Sequence, residues 1–84
     1  MKTIYKYPVQ RSKQFFTMFL PLDFKFLRIG WQNESLFLWA EITKGADPVE
    51  QKFSLYGTGQ DIVPGAQWLA TYDDGPFVFH LYKL

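Results

Sequence analysis

Leu27-Arg28-Ile29-Gly30-Trp31-Gln32-Asn33-Glu34-Ser35-Leu36-Phe37-Leu38-Trp39-Ala40-Glu41-Ile42 reads as a β-hairpin. Asn33-Glu34 is its turn, because Asn tolerates the left-handed backbone that tight hairpins need. Pairing Gln32 with Ser35 sets Trp31 against Leu36, Gly30 against Phe37, Ile29 against Leu38, Arg28 against Trp39 and Leu27 against Ala40. Alternate pairs share a face. One face then holds Trp31, Leu36, Ile29, Leu38, Leu27, Ala40 and Ile42 and is the expected core side. A slip of one residue would mix the two faces, so the pattern selects this register. The other face holds Phe37 opposite the bare Gly30 and Trp39 opposite Arg28, where a guanidinium can stack on the indole.

Outward from the hairpin, short aromatic and β-branched runs are broken by turn residues, and no window carries the 3.6-residue period of an amphipathic helix. Strands are expected near 2–7, 14–20, 24–32, 35–43, 51–56, 67–72 and 76–83. Single helical turns are expected at most, around Pro48 to Gln51 or Asp61 to Ala66. Asp73-Asp74-Gly75 signals a second hairpin, with Tyr72 meeting Phe77, Ala70 meeting Phe79 and Trp68 meeting Leu81 on its core face; Thr71 meets Val78 and Leu69 meets His80 on the other. Six to seven short strands rich in aromatics imply an all-β fold, a small antiparallel sandwich or partly open barrel, because one flat sheet cannot hide so many rings.

The 84 residues leave room for a single domain, 1–84. Its nine Phe, five Tyr and three Trp supply the core. With no cysteine, neither a disulfide nor a thiolate zinc site can staple it, and a reducing cytoplasm is the expected setting. The opening Met1-Lys2-Thr3-Ile4-Tyr5-Lys6-Tyr7-Pro8 lacks the apolar run of a secretory signal, and charges interrupt every hydrophobic stretch well before membrane-spanning length. Net charge is only +1, but residues 1–30 hold six of the nine basic residues and one of the eight acidic ones. Such asymmetry suits either an anionic partner or attraction between the two halves of the fold.

Signals for catalysis are sparse. His80 is the only histidine and lies inside the last strand, where a half-buried residue bonded to a loop is the simpler expectation than a general base. One histidine without cysteines makes no zinc site, and no cofactor is implied. Asp73 and Asp74 belong to a turn, and Glu41, opposite Phe26 in this register, has no partner acid. Tyr56-Gly57-Thr58-Gly59-Gln60 lacks the spacing, lysine and following helix of a phosphate loop, and two glycines leaving a strand mark a bend. The chain therefore reads as no enzyme.

Met1-Lys2-Thr3-Ile4-Tyr5-Lys6-Tyr7-Pro8, Leu38-Trp39-Ala40, Phe53-Ser54-Leu55-Tyr56-Gly57-Thr58-Gly59 and Phe77-Val78-Phe79-His80-Leu81 together resemble a family of short, uncharacterised proteins encoded by bacteriophages and prophages. Members of that family often carry His after Gly-Thr-Gly and Asn-Gly in the first turn, where this chain has Gln60 and Glu34. The resemblance implies a genomic setting in a bacterial host, and phage proteins of this size without a catalytic set often act by docking onto a host protein, including components of CRISPR and other defence systems.

The expected function is thus a phage-encoded inhibitor that binds a bacterial host protein in the host cytoplasm through an aromatic patch with a charged rim. Arg28, Phe37 and Trp39 form its expected centre, with Tyr5, Tyr7 and Tyr56 as neighbours. The alternative is a single-stranded nucleic-acid binder using Tyr5, Tyr7, Phe37 and Trp39 with Lys2, Lys6, Lys25 and Arg28, against which the sequence pI near 8.0 counts. An edge strand can also support a homodimer, though the sequence does not say which strand lies at an edge.

Overall fold

The computed structural model describes all 84 residues as seven antiparallel strands in two open sheets, with no helix. The strands are β1 (Lys2–Pro8), β2 (Phe15–Pro21), β3 (Lys25–Gln32), β4 (Ser35–Thr43), β5 (Pro48–Gly57), β6 (Gln67–Asp74) and β7 (Phe77–Lys83). One sheet has the order β1-β4-β3 and the other β2-β5-β7-β6. The extents of 40 × 32 × 17 Å leave a thickness of two layers, since stacked sheets lie about 10 Å apart. The fold is an open sandwich rather than a barrel. Neither expected helical turn forms, because Pro48–Gln51 begins β5 and residues 61–66 contain only a turn closed by Ala66 N–H donating to Val63 O.

The two sheets meet where β3 lies against β6 and β2 against β4. Between them Phe16, Met18 and Leu20 of β2, Leu36, Leu38, Ala40 and Ile42 of β4, Phe53 and Leu55 of β5, Tyr72 and Leu81 form one core, as period-two alternation requires. Phe16 stacks on Phe53 with ring centres 5.8 Å apart.

The first hairpin takes the expected register from Gln32–Ser35 to Arg28–Trp39. Asn33 and Glu34 have φ of 50° and 67°, the left-handed pair of a two-residue hairpin turn. A bulge between Phe26 and Arg28 then removes Leu27 from the ladder, so Ala40 faces Phe26, and Leu27 is 40% exposed instead of core. The same bulge sets Glu41 opposite Lys25, not Phe26. Trp31 points inward as expected, yet lies at the open end of the sandwich at 38% exposure, where its indole N–H donates to Asp73 O at 2.8 Å and ties β3 to β6.

In the second hairpin the turn is tighter than expected. Gly75, with φ of 59°, and Pro76 are its only loop residues, and Asp74 pairs with Phe77, so Tyr72 meets Phe79, Thr71 meets His80 and Ala70 meets Leu81. A shift of two residues preserves the faces, which is why Tyr72, Ala70 and Leu81 are buried as expected although every partner differs. Phe77 is left exposed beside the turn, and a bulge between Trp68 and Ala70 turns Trp68 outward.

Candidate functional site

The outer face of the three-stranded sheet carries no second layer. Strand registers build it as a grid: Lys6, Trp39 and Arg28 form one row across β1, β4 and β3, Pro8, Phe37 and Gly30 the next, and Ile4, Glu41 and Lys25 the row on the other side. Phe37 and Trp39 stand two apart on β4 and meet edge to face with ring centres 5.9 Å apart. The Lys6 ammonium lies 4.5 Å from the centre of the Phe37 ring and also donates to Gln32 Oε1. The Arg28 guanidinium lies 5.4 Å from the centre of the Trp39 indole.

Gly30 makes that last contact possible. A Cβ there would fall 3.0 Å from Arg28 Nε and Nη2, so the guanidinium occupies the space over the bare glycine. Phe37 stands opposite Gly30 as the register expects, but the side chain that lies over the glycine is Arg28, and the Phe37 ring takes Lys6 instead. Lys2, Lys6, Lys25 and Arg28 on this face outnumber its carboxylates, Glu41, which lies 3.9 Å from the Lys2 ammonium in an exposed pair of little energetic weight, and Asp23, which accepts from Thr43 Oγ1 at 3.0 Å at the rim. The face is aromatic at its centre, cationic around it and half-buried only by its own neighbours.

Of the expected site residues, Arg28, Phe37 and Trp39 come together and Tyr5, Tyr7 and Tyr56 do not. Tyr5 pairs with Ala40 and Tyr7 with Leu38, which puts both on the inner side of the sheet. Tyr7 packs against the core, and burial, then the neighbouring Tyr5, pushes its phenol above its ordinary pKa. Tyr5 is exposed at the flank, on the opposite side from Trp39. The strand β1 contributes Ile4 and Lys6 to the patch instead. Alternation within β1 groups Ile4 with Lys6, but only the non-local β1–β4 register says which face they share with Trp39.

Tyr56 lies in the other sheet and is 2% exposed. It points away from the core, yet its hydroxyl accepts Val63 N–H at 3.1 Å and its ring meets Tyr82 edge to face at 5.3 Å, so residues 57–66 fold back over it. Gln60 closes this loop by accepting Gly57 N–H at 2.7 Å. His80 is bonded at both ring nitrogens, Nε2 to Thr58 Oγ1 at 3.2 Å and Nδ1 to Thr71 Oγ1 at 2.9 Å, while the Trp68 indole N–H donates to that same Thr71 oxygen at 3.2 Å. The histidine pins the loop to β6 and β7, the structural role the sequence reading favoured. A shallow cleft of about 230 Å³ lies beside it, lined by Thr58, Gln60, Ile62, His80 and Tyr82 among others. No group of three or more His, Asp or Glu side chains gathers where a metal ion could be held.

A third cluster closes the end of the sandwich. Arg11 pairs with Asp74 at 3.0 Å and lies 5.0 Å from the centre of the Trp31 ring, which meets Tyr72 edge to face. Burial and the Asp74 carboxylate push the Tyr72 phenol up to about 12, with Arg11 opposing them. The cluster joins the two sheets rather than offering a surface.

The geometry defines a small open β-sandwich that presents one uncovered aromatic and cationic sheet face. The chain belongs to the family described as a domain of unknown function (DUF7352), whose profile matches residues 1–84. Searches of the curated proteins and of the solved structures each return no match. No helix is long and apolar enough to cross a membrane.

Proposed function

We propose that this domain binds rather than catalyses, and that the outer face of the β1-β4-β3 sheet docks onto an acidic surface of a partner protein. The observation that supports this is the edge-to-face pair Phe37–Trp39 held between Lys6 and Arg28. Large rigid rings bury much area at low entropic cost, and Arg and Trp are the common anchors of protein interfaces. The cationic surround favours an acidic counterpart and speeds encounter with it. In the phage setting that the resemblance implies, the partner is a bacterial host protein met in the cytoplasm, the domain is its inhibitor, and components of antiviral defence are the first class to test.

The nucleic-acid reading ranks second on the same residues. Base stacking needs an open ring face, and here Lys6 already lies over Phe37 and Arg28 over Trp39.

Tagged wild-type chain and an Arg28→Ala/Trp39→Ala double variant, used side by side as bait in bacterial lysate, test the proposal. A protein retained by the first and lost from the second is the expected result. Equal retention by both baits counts against this face. Labelled oligonucleotides that bind at low salt, release steeply as salt rises and require Trp39 would replace the protein reading by the nucleic-acid one.

A further inference from the structure

The sandwich has four edge strands, and three of them are blunted. β1 carries Lys2 and Lys6 and ends in Pro8; β3 carries Lys25 and Arg28 and is bulged at Leu27; β6 ends in Asp73 and Asp74 and is bulged at Leu69. Charges, prolines and bulges are the devices that keep an edge from accepting another strand. β2, Phe15-Phe16-Thr17-Met18-Phe19-Leu20-Pro21, also ends in a proline, but it has no ionisable side chain and no bulge, and its register with β5 runs unbroken from Phe15 to Pro21.

Its main chain is open as well. Leu55 N–H donates to Gln14 O at 2.8 Å, whereas Leu84 N–H donates to Lys52 O on the opposite side of β5. Antiparallel alternation then commits Gln14, Phe16, Met18 and Leu20 to the β5 ladder and directs the N–H and C=O of Phe15, Thr17 and Phe19 toward the free edge. The side chains of those three residues lie on the outer face of the sheet, where Phe15 is 50% and Phe19 60% exposed.

We propose that β2 is a homodimer interface, pairing antiparallel with β2 of a second copy about a two-fold axis through Thr17. The strand is self-complementary about that point. Thr17 faces Thr17 of the second copy, Phe15 faces its Phe19 twice, and Phe16 faces its Met18 twice, so outer residues meet outer ones, inner residues meet inner ones, and threonine and aromatic pairs stand where sheets favour them. The three outward residues of each copy form about six main-chain hydrogen bonds. An axis through Met18 would set Phe15 against Pro21, which has no N–H to give. An axis through Phe16 would bring Lys13 against Phe19 and lose half the overlap. In the Thr17 register the nearest like charges, Lys52 of each copy, stand about 14 Å apart, three strand spacings, beyond the screening length of about 8–10 Å.

Sedimentation equilibrium of the full chain over a concentration series tests this, with a dimer mass expected for wild type. Thr17→Lys sets two ammonium groups face to face across the axis, and since position 17 directs both side chain and N–H away from the fold, a monomer with an unchanged circular-dichroism spectrum is expected. The chain has no cysteine, so Thr17→Cys gives a second test that does not depend on the lysine variant folding. Facing residues in such a pair have Cα atoms about 5.5 Å apart, within the range of about 4.4–6.8 Å that a disulfide spans, so mild oxidation should yield a covalent dimer, whereas Lys6→Cys should not. A wild type that stays monomeric throughout, a folded Thr17→Lys variant that still associates, or cross-linking no better at position 17 than at position 6 overturns the proposal.

Discussion

The two sheets of this domain treat their outer faces in opposite ways. On the β1-β4-β3 sheet, Phe37 and Trp39 lie under nothing but the side chains of Lys6 and Arg28. On the β2-β5-β7-β6 sheet, Tyr56 and Tyr82 occupy the equivalent outward positions, and residues 57–66 lie over them, leaving Tyr56 at 2% exposure. The same period-two alternation thus yields an uncovered aromatic face on one layer and a second small core on the other. What separates them is the length of the connection: a two-residue turn joins β3 to β4 and cannot cover the sheet, whereas the nine residues between β5 and β6 can.

The largest test of that contrast is to truncate one ring on each face. Tyr56→Ala empties a sealed site and also leaves Val63 N–H without its acceptor, so a loss of about 3–5 kcal/mol in urea unfolding is expected. Trp39→Ala removes a half-buried ring from the surface and should cost about 1 kcal/mol, while abolishing capture of the partner. Equal losses would mean that the two faces are not different in kind.

This contrast also shows how much could be read without coordinates. Leu36, Leu38, Ala40 and Ile42 were legible as core because they lie on a strand whose turn, Asn33-Glu34, is adjacent in sequence and fixes the register arithmetically. Arg28, Phe37 and Trp39 followed from the same arithmetic. Tyr5 and Tyr7 fall on the inner face, away from the patch, because no turn links β1 to β4, and residues 9–34 between the two strands carry no register information. Leu27 and Trp68 were misplaced by bulges, each of which resets the alternation by one residue without a Gly or Pro to announce it. Tyr56 was misread because a covering loop is a tertiary event; turn residues mark where the chain bends, not what it bends over.

The seam between the sheets supplies a second test, of intermediate size. Tyr72 is neutral in the fold up to about pH 12, whereas in the unfolded chain it ionises near its ordinary value of 10.0. Deprotonation therefore favours the unfolded state, and the stability present below pH 10 is expected to decline as pH rises from 10 to about 12. Tyr72→Phe should flatten that part of the denaturation profile. A profile unaltered by Tyr72→Phe would show that the Arg11–Asp74–Trp31 cluster does not seal this end of the sandwich.

A smaller effect is expected at the turn that fixes the exposed face. Glu34 adopts φ of 67°, a left-handed conformation that costs L-residues about 1–2 kcal/mol and glycine almost nothing. Glycine also has more freedom to lose on folding, which returns part of the gain. Glu34→Gly is therefore expected to raise stability by about 0.5–1 kcal/mol in the same urea assay, with the register of Arg28 against Trp39 unaltered in amide nuclear Overhauser contacts.

Gly30→Ala is the finest probe, because it changes the uncovered aromatic face without removing any of its side chains. Alanine within a strand is favoured over glycine by about 0.5–1 kcal/mol, but its Cβ would displace a guanidinium whose contact with the indole is worth about as much. The two nearly cancel, so the single variant should be close to neutral. In a Trp39→Ala background the indole contact is already gone, and the same change should stabilise by about 0.5 kcal/mol. That difference, read from a double-mutant cycle, isolates the Arg28–Trp39 interaction. A cycle that closes at zero would mean that Arg28 lies over Gly30 for lack of anywhere better to go, and that the cation contributes nothing to holding Trp39 ready for a partner.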